Sequence, residues 1–458
     1  MALSITRVEY RNFRNMEHRT LEPHSGLTVL VGPNAVGKTN CVEGITLLTS
    51  GRSFRHLAGV GDFVREGARS CRVEMLLEGE KRRVDVAFEV ESGKKRLLVN
   101  GKSRRLTEGG RLMPSVLFYP DDLMVIKGPA SGRRDMLDEI GMQLNETYGR
   151  IYRDYRRALS QRNALLRDEA TRRAGGCAPG VAGGRAAGAG AGLSGVSEGA
   201  AAAMLEAWTE ALVGAGSMLY LYRRALLERL TPLIARAYSS IAPGERLTIG
   251  YESSYAPDER AVGRLTEPAS APSPAGVPDG PAGVGGPASG SGSGGSAGAS
   301  GTDELPAALA SAAYVPAPAT ISPVSRAARP AVERALRARL AELRVAELAR
   351  GTTLAGPHHD DVTFAIDGRP ARLFGSQGQQ RTISLAEKIA HVNLVRAMTG
   401  SYPVFLLDDV MSELDATRRS ALFGLIHTGV QTIMTTTNLD YFTPAELERI
   451  SVVEMRHE

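Results

Sequence analysis

A chain of 458 residues, 43% hydrophobic and 23% charged, is long enough for two or three folded domains of roughly 100–200 residues each. Its net charge of +5 is compatible with nucleic acid without establishing that partner. Three cysteines, Cys41, Cys71 and Cys177, lack CxxC or Cys/His spacing, which excludes a disulfide framework and a zinc site and fits a reducing compartment. The start MALSITRVEYRNFRN carries charge where a signal peptide needs an apolar stretch, and no run reaches the ~18 apolar residues of a membrane span. A soluble, cytoplasmic protein without a membrane partner is expected.

In chain order, the first 125 residues read as α/β material. ITRVEYRNF (5–13) alternates like a strand, GLTVLVG (26–32) is a short apolar strand, and NCVEGITLLTSG (40–51) is helical until its last glycine. In KKRLLVNGKSRRL (94–106), Asn100-Gly101 signals a type I′ turn between two strands. From 133 to 167, apolar and tyrosine residues recur every three or four positions, which predicts one long helix of ~45 Å. Further helical patterns run through 205–230 and 332–343, suggesting an antiparallel helical lobe inserted at 131–350 between the two parts of a head, 1–130 and 351–458. Two tracts rich in Gly, Ala, Pro and Ser, near 174–195 and 256–312, cannot bury enough apolar surface to offset chain entropy and are expected to be mobile loops. The α/β pattern resumes with DVTFAIDGRPARLF (361–374), a hairpin around Asp367-Gly368. A helix then reaches about 398, YPVFLLDDV (402–410) is a buried strand, and QTIMTTT (431–437) is the last apolar strand.

The chemistry concentrates in three places. GPNAVGKT, Gly32-Pro33-Asn34-Ala35-Val36-Gly37-Lys38-Thr39, fits GxxxxGK[ST] between an expected strand and an expected helix, with Asn40 following. Such a loop wraps phosphates through Gly32 and Gly37, reaches the β- and γ-phosphates with Lys38, and ligates magnesium with the Thr39 hydroxyl. VFLLDDV ends a strand with Asp408 and Asp409; beside a P-loop the first carboxylate would hold magnesium and the second would polarise the attacking water. Without that neighbour, such a pair is a turn or helix cap. In GSQGQQR (375–381) a small polar turn precedes a helix, and the unpartnered N–H groups of a helix start suit an anion. The run His358-His359-Asp360-Asp361 is not read as a metal site, because four consecutive side chains do not converge on one ion. Cys41 is read as a packed helix residue.

GSQGQQR followed by LLDDVMSELD resembles the signature motif, Walker B strand and D-loop of the ABC-type ATPase superfamily, with Ser376, Gly378 and Gln379 in signature positions and Asp415 in the D-loop. Together with RNFRN, GPNAVGKTN, GRSFR, FYPDDL, RRDMLD, YRRALSQRNALL and LAGPHHDD, these pieces resemble the RecF family of bacterial recombination mediators. The resemblance implies an ABC/SMC-like P-loop head of α/β class with an inserted helical lobe. It implies ATP and Mg2+ as cofactors, with Lys38, Asp408 and Asp409 catalytic and Thr39 and Asp408 on the metal. It further implies an ATP-dependent homodimer in which one copy's signature closes on the other's nucleotide, weak DNA-stimulated hydrolysis, binding of single- and double-stranded DNA, and loading of RecA with RecO and RecR. The chain departs from the pattern at Asp409, where most relatives of the superfamily have the longer Glu, which implies slow hydrolysis. It departs also at Gln377 for Gly, at Thr435-Thr436-Thr437 where transporters place a histidine, and at His359 where Arg is expected. A transporter ATPase subunit has no use for a ~45 Å lobe helix, and an SMC-type chromosome-structuring protein needs longer coiled coils.

Residues 81–105 hold nine Lys or Arg against three Asp or Glu. Arg82, Arg83, Lys94, Lys95, Arg96, Lys102, Arg104 and Arg105 are therefore the candidates for a DNA backbone, which positive charge attracts without reading sequence. Arg55, with Arg52 in GRSFR, could reach either a nucleotide or a DNA phosphate.

Overall fold

The computed structural model describes residues 3–55, 59–80, 82–106, 109–173, 198–257, 259–263 and 328–456. The tract near 174–195 lies outside the described residues, as does that near 256–312 apart from residues 256, 257 and 259–263. The strands are β1 Ser4–Phe13, β2 Met16–Leu21, β3 Leu27–Val31, β4 Ser70–Gly79, β5 Arg82–Glu91, β6 Lys94–Val99, β7 Lys102–Arg104, β8 Ser115–Phe118, β9 Leu247–Glu252, β10 Asp361–Ile366, β11 Arg369–Pro370, β12 Val404–Asp408, β13 Thr432–Thr436 and β14 Ser451–Glu454. The longer helices are α1 Lys38–Ser50, α2 Ala130–Leu144, α3 Glu146–Arg173, α4 Glu198–Ile241, α5 Arg329–Glu342, α6 Arg344–Arg350, α7 Gln377–Thr399 and α8 Ala416–Ile426.

A parallel sheet of order β14-β3-β13-β12-β8 forms the centre. Every residue of β12 and β13 is buried, which explains why both read as unbroken apolar runs rather than alternating ones: the sheet is covered on both faces. One cover is a six-stranded antiparallel sheet, β2-β1-β4-β5-β6-β7, whose strands do alternate. Between the two sheets lies α1, buried along ten of its 13 residues. Its Cys41, Val42, Ile45, Leu47 and Leu48 share a core with Tyr10, Val73, Val86, Leu30 and Ile433. The other face packs α7 and the C-terminal half of α4 into a second core with Phe405, Leu407 and Met434. No membrane-length apolar helix occurs among the described residues.

The lobe helices α3 and α4 run antiparallel, since Tyr155 lies against Gly216 and Arg162 against Thr209, the partner number falling as the other rises. The single helix expected over 133–167 is two. Asn145 between α2 and α3 is extended (φ −145°, ψ 118°), and its side chain accepts the Tyr148 N–H at 3.2 Å. Asn competes for backbone hydrogen bonds in this way, so it starts a helix better than it continues one. The periodicity survives the break because Tyr148 folds its ring back over Gly141, where a Cβ would collide with it. The expected I′ turn has Asn100 and Gly101 at φ 48° and 75°, and the expected hairpin around Asp367-Gly368 shows the same left-handed pair at φ 49° and 78°. The strands β2, β4, β5, β8, β9 and β14 were unforeseen; the last follows QTIMTTT and adds in parallel to β3.

Inside the lobe, Arg162 Nη2 meets Glu347 Oε2 at 2.6 Å with both side chains buried, and the guanidinium also donates to Thr209 and Thr353. Glu347 in turn accepts the Leu354 N–H at 2.9 Å. Removing one partner of a buried pair strands the other charge. Glu347→Ala is therefore expected to lower unfolding free energy by about 3–5 kcal/mol, read from urea denaturation, whereas removal of the exposed Glu210 that pairs with Arg337 should cost under ~1 kcal/mol.

Candidate nucleotide-binding site

The loop of residues 32–37 joins β3 to α1. Two backbone features hold its shape. Gly37 at the helix start has φ 103°, which disfavours any side chain, and Ala35 sits in the left-handed region at φ 64°. Gly32 is required for another reason: a Cβ there would collide with the backbone carbonyl of Met455, whose N–H bonds Val31 O at 2.7 Å. The end of the chain therefore braces the start of the loop. Asn15, in RNFRN, donates to Ala35 O at 3.0 Å and accepts from Asn40 at 2.6 Å, tying the loop's crest to the β1–β2 turn.

Lys38 is buried and its Nζ donates to Gly32 O at 2.7 Å and Pro33 O at 2.8 Å. Burial depresses its pKa, opposed by the charges of Asp409 and Asp408. Asp408, at the end of β12, is 5% exposed. Burial raises its pKa, and hydrogen bonds from the Thr435 and Thr39 hydroxyls hold it back. Asp409 follows in the left-handed region at φ 53°, exposed at the sheet edge; burial of its carboxyl raises its pKa while Lys38 lowers it. These groups meet because β3, β13 and β12 are parallel neighbours that end on the same edge, the place where such sheets bind ligands. The Thr39 hydroxyl and Asp408 carboxylate are the hard oxygen donors a magnesium ion accepts, with phosphate and water completing the shell. No group of three or more His, Cys, Asp or Glu converges elsewhere among the described residues. The His358 and His359 rings point at Thr353 O, and Asp360 binds Tyr251 and Ser254, so that run is structural.

Thr435 takes a place that the sequence did not assign it. Its hydroxyl donates to Asp408 Oδ1 at 2.8 Å and accepts the Asp409 N–H at 3.0 Å. One residue thus holds the Asp408 carboxylate and the Asp409 backbone from β13, in the region where transporters carry a histidine. The signal was present as TTT after an apolar strand, but only the register Asp408↔Thr435 gives it meaning.

At the other motif, Ser376 caps α7: its Oγ accepts Gln379 N–H at 3.1 Å, and Gln379 Oε1 accepts Ser376 N–H at 2.9 Å, a capping box. The remaining amide of Gln379 donates to Glu245 Oε1 at 2.9 Å, just beyond α4. Arg418 of α8 donates to Gly378 O at 2.6 Å and Thr382 Oγ1 at 2.9 Å and pairs with Asp415, while Arg381 donates to Glu413 O at 2.8 Å. Signature and D-loop are thus one hydrogen-bonded unit. None of Glu245, Arg381 or Arg418 was singled out from sequence, because their partners lie 134, 32 and 40 residues away. Among the described residues, the hydrogen bonds of Ser376, Gly378 and Gln379 include none to residues 32–40.

The basic residues separate into two groups. Arg55 Nη1 donates to Asn40 Oδ1 at 2.8 Å and lies 3.6 Å from Glu43, which Arg14 and Ser53 also engage; it therefore belongs to the nucleotide end. Arg82, Arg83, Lys94, Lys95, Arg96, Lys102, Arg104 and Arg105 are all exposed on or beside β5–β7. They do not share one face as a cluster on one element suggests. The pairings Leu97↔Arg104 and Val99↔Lys102 put Lys102 and Arg104, with Lys95, on the side of buried Leu97, and Lys94 and Arg96 on the opposite side.

A P-loop whose lysine faces paired strand-end carboxylates, a signature-capped helix and an inserted helical lobe define an ABC/SMC-type ATPase head. The family model "RecF/RecN/SMC N terminal domain" matches residues 4–458. "DNA replication and repair protein RecF" of Gloeobacter violaceus is 32% identical, covering 97% of this chain and 95% of the relative. The protein of that name from Moorella thermoacetica is 31% identical over 99% and 95%. The solved structure "recombination mediator protein RecF-ATPrS in RecFOR pathway" superposes with a TM-score of 0.69 at 24% identity, covering 96% of this chain and 94% of that one. The chain belongs to the RecF family.

Thr435→Val removes both hydroxyl bonds, the one to the Asp408 carboxylate and the one from the Asp409 N–H, while keeping the residue's volume. Steady-state ATP turnover is expected to fall about 10–100-fold, nucleotide affinity to change only a few-fold, and Thr435→Ser to restore most of the loss.

Proposed function

We propose that this chain is an ATP-dependent DNA clamp of recombinational repair and replication, working as a nucleotide-sandwich homodimer. The observation that carries the reading is the separation of two helix starts suited to anions, α1 and α7, which among the described residues share no hydrogen bond. In the sandwich, ATP with Mg2+ sits on residues 32–40, held by Lys38, Thr39 and Asp408, and the signature turn Ser376 to Gln379 of a second copy closes on the γ-phosphate, with the Ser376 hydroxyl and the Gly378 N–H as donors. Asp409 orients the attacking water, and its short side chain keeps turnover slow. Hydrolysis removes the charge that both copies share, so the sandwich opens and DNA is released. The basic strands β5–β7 supply contacts to duplex or gapped DNA and to single strands. Relatives named for the RecFOR pathway support action with RecO and RecR in loading RecA.

Lys38→Ala is expected to abolish ATP binding, and Ser376→Arg to leave binding intact while blocking dimerisation; sedimentation velocity with ATP reads both, and a dimeric Ser376→Arg protein contradicts the sandwich. Replacing Lys95, Lys102 and Arg104 by Gln should flatten the slope of log K for duplex DNA against log salt by about 0.9 for each phosphate that is no longer neutralised. An unchanged slope would move the DNA surface elsewhere on the head.

A further inference from the structure

Away from the P-loop, a cavity of about 590 Å³ opens between α2, α7, the end of α1 and the segment after β8. That volume lies in the range of small-molecule sites, roughly 300–1,000 Å³. Its wall carries six carboxylates, Asp121, Asp122, Asp135, Asp138, Glu139 and Glu387, against the lining cations Arg52 and Lys388. Two of the six are already paired: Asp122 with Lys388 at 2.9 Å, and Asp138 with Arg223 through two bonds of 2.8 and 2.7 Å. Glu387 is not satisfied. It is 3% exposed, its Oε2 stands 3.6 Å from Lys388 Nζ, and its Oε1 is buried with no hydrogen-bond partner. Phe54 and Tyr119, ring centroids 5.2 Å apart, add aromatic surface to the same wall.

We propose that this cleft binds a small organic cation with two or more ammonium groups, which donates to Glu387 Oε1 and spans toward Glu139 and Asp135. A metal ion is the poorer fit, because no three acidic or histidine side chains converge among the described residues, whereas an extended amine bridges carboxylates that stand apart. The aromatic pair suits the alkylammonium body. A ligand here touches both the end of the P-loop helix and the middle of the signature helix, which lie on opposite faces of the parallel sheet, so it would tie them together past the edge strand β8. The site is independent of the nucleotide-sandwich reading.

The test is thermal unfolding of the full-length, nucleotide-free protein with putrescine or spermidine, against NaCl of matched ionic strength. Near pH 8 and near saturation, Tm should rise by about 2–4 °C, and Glu387→Gln should weaken the titrated affinity at least ~10-fold. If Glu387→Gln does not fold, Glu139→Gln is held to the same criterion. Glu387 is pushed up to about 7 by burial and by Asp122 and Glu139, with Lys388 opposing. It is therefore mostly protonated near pH 6, and binding there should be several-fold weaker than near pH 8. No rise above the salt control, an equal rise in the variant, or tighter binding near pH 6 would each overturn the proposal.

Discussion

The arrangement depends on the confinement of α1 between two sheets. A phosphate-binding loop works only if its N–H groups hold still, and a loop of Gly, Ala and Asn has little stiffness of its own. Here the stiffness is borrowed. The helix that begins at Lys38 is buried along most of its length, with Tyr10 donating to Cys41 O on one side. Val31 and Met455 fix the loop's first residue, and Asn15 fixes its crest. The antiparallel sheet is therefore part of the nucleotide site, although none of its strands carries a P-loop, signature or Walker B residue.

The carboxylates depend on the same confinement. Desolvation pushes both Asp408 and the more exposed Asp409 upward, while the Thr435 and Thr39 hydroxyls pull Asp408 and Lys38 pulls Asp409 back toward the charged form. This balance suits a site that takes up a metal–phosphate complex, since the incoming charge replaces protein partners instead of displacing bulk water. Lys38, resting on the carbonyls of Gly32 and Pro33, is held ready in the same way.

The signature end is built by different means. It sits on an exposed helix start and is positioned from three directions, by Glu245 from the lobe, Arg418 from α8 and the Arg381–Glu413 bond from the D-loop. Because α4 ends just before Glu245, Gln379 is tied to the lobe through a side-chain contact and a shared core. The buried Arg162–Glu347 pair keeps α3 and α6 moving together. Head and lobe are thus mechanically joined at the signature.

Much of the head was legible in the sequence because its signals are local. GPNAVGKT has its meaning within eight residues, FLLDD within five, and the Asn100-Gly101 and Asp367-Gly368 turns within two, since each is set by backbone chemistry that neighbours in the chain supply. The tertiary structure alone decided the rest. That β14 closes the sheet beside the P-loop, that Thr435 holds the Asp408 carboxylate and the Asp409 backbone, and that the basic residues of β5–β7 divide between two faces follow from strand pairing and packing. Strand register and helix contacts are settled by burial of whole surfaces, and no short run of residues carries that information.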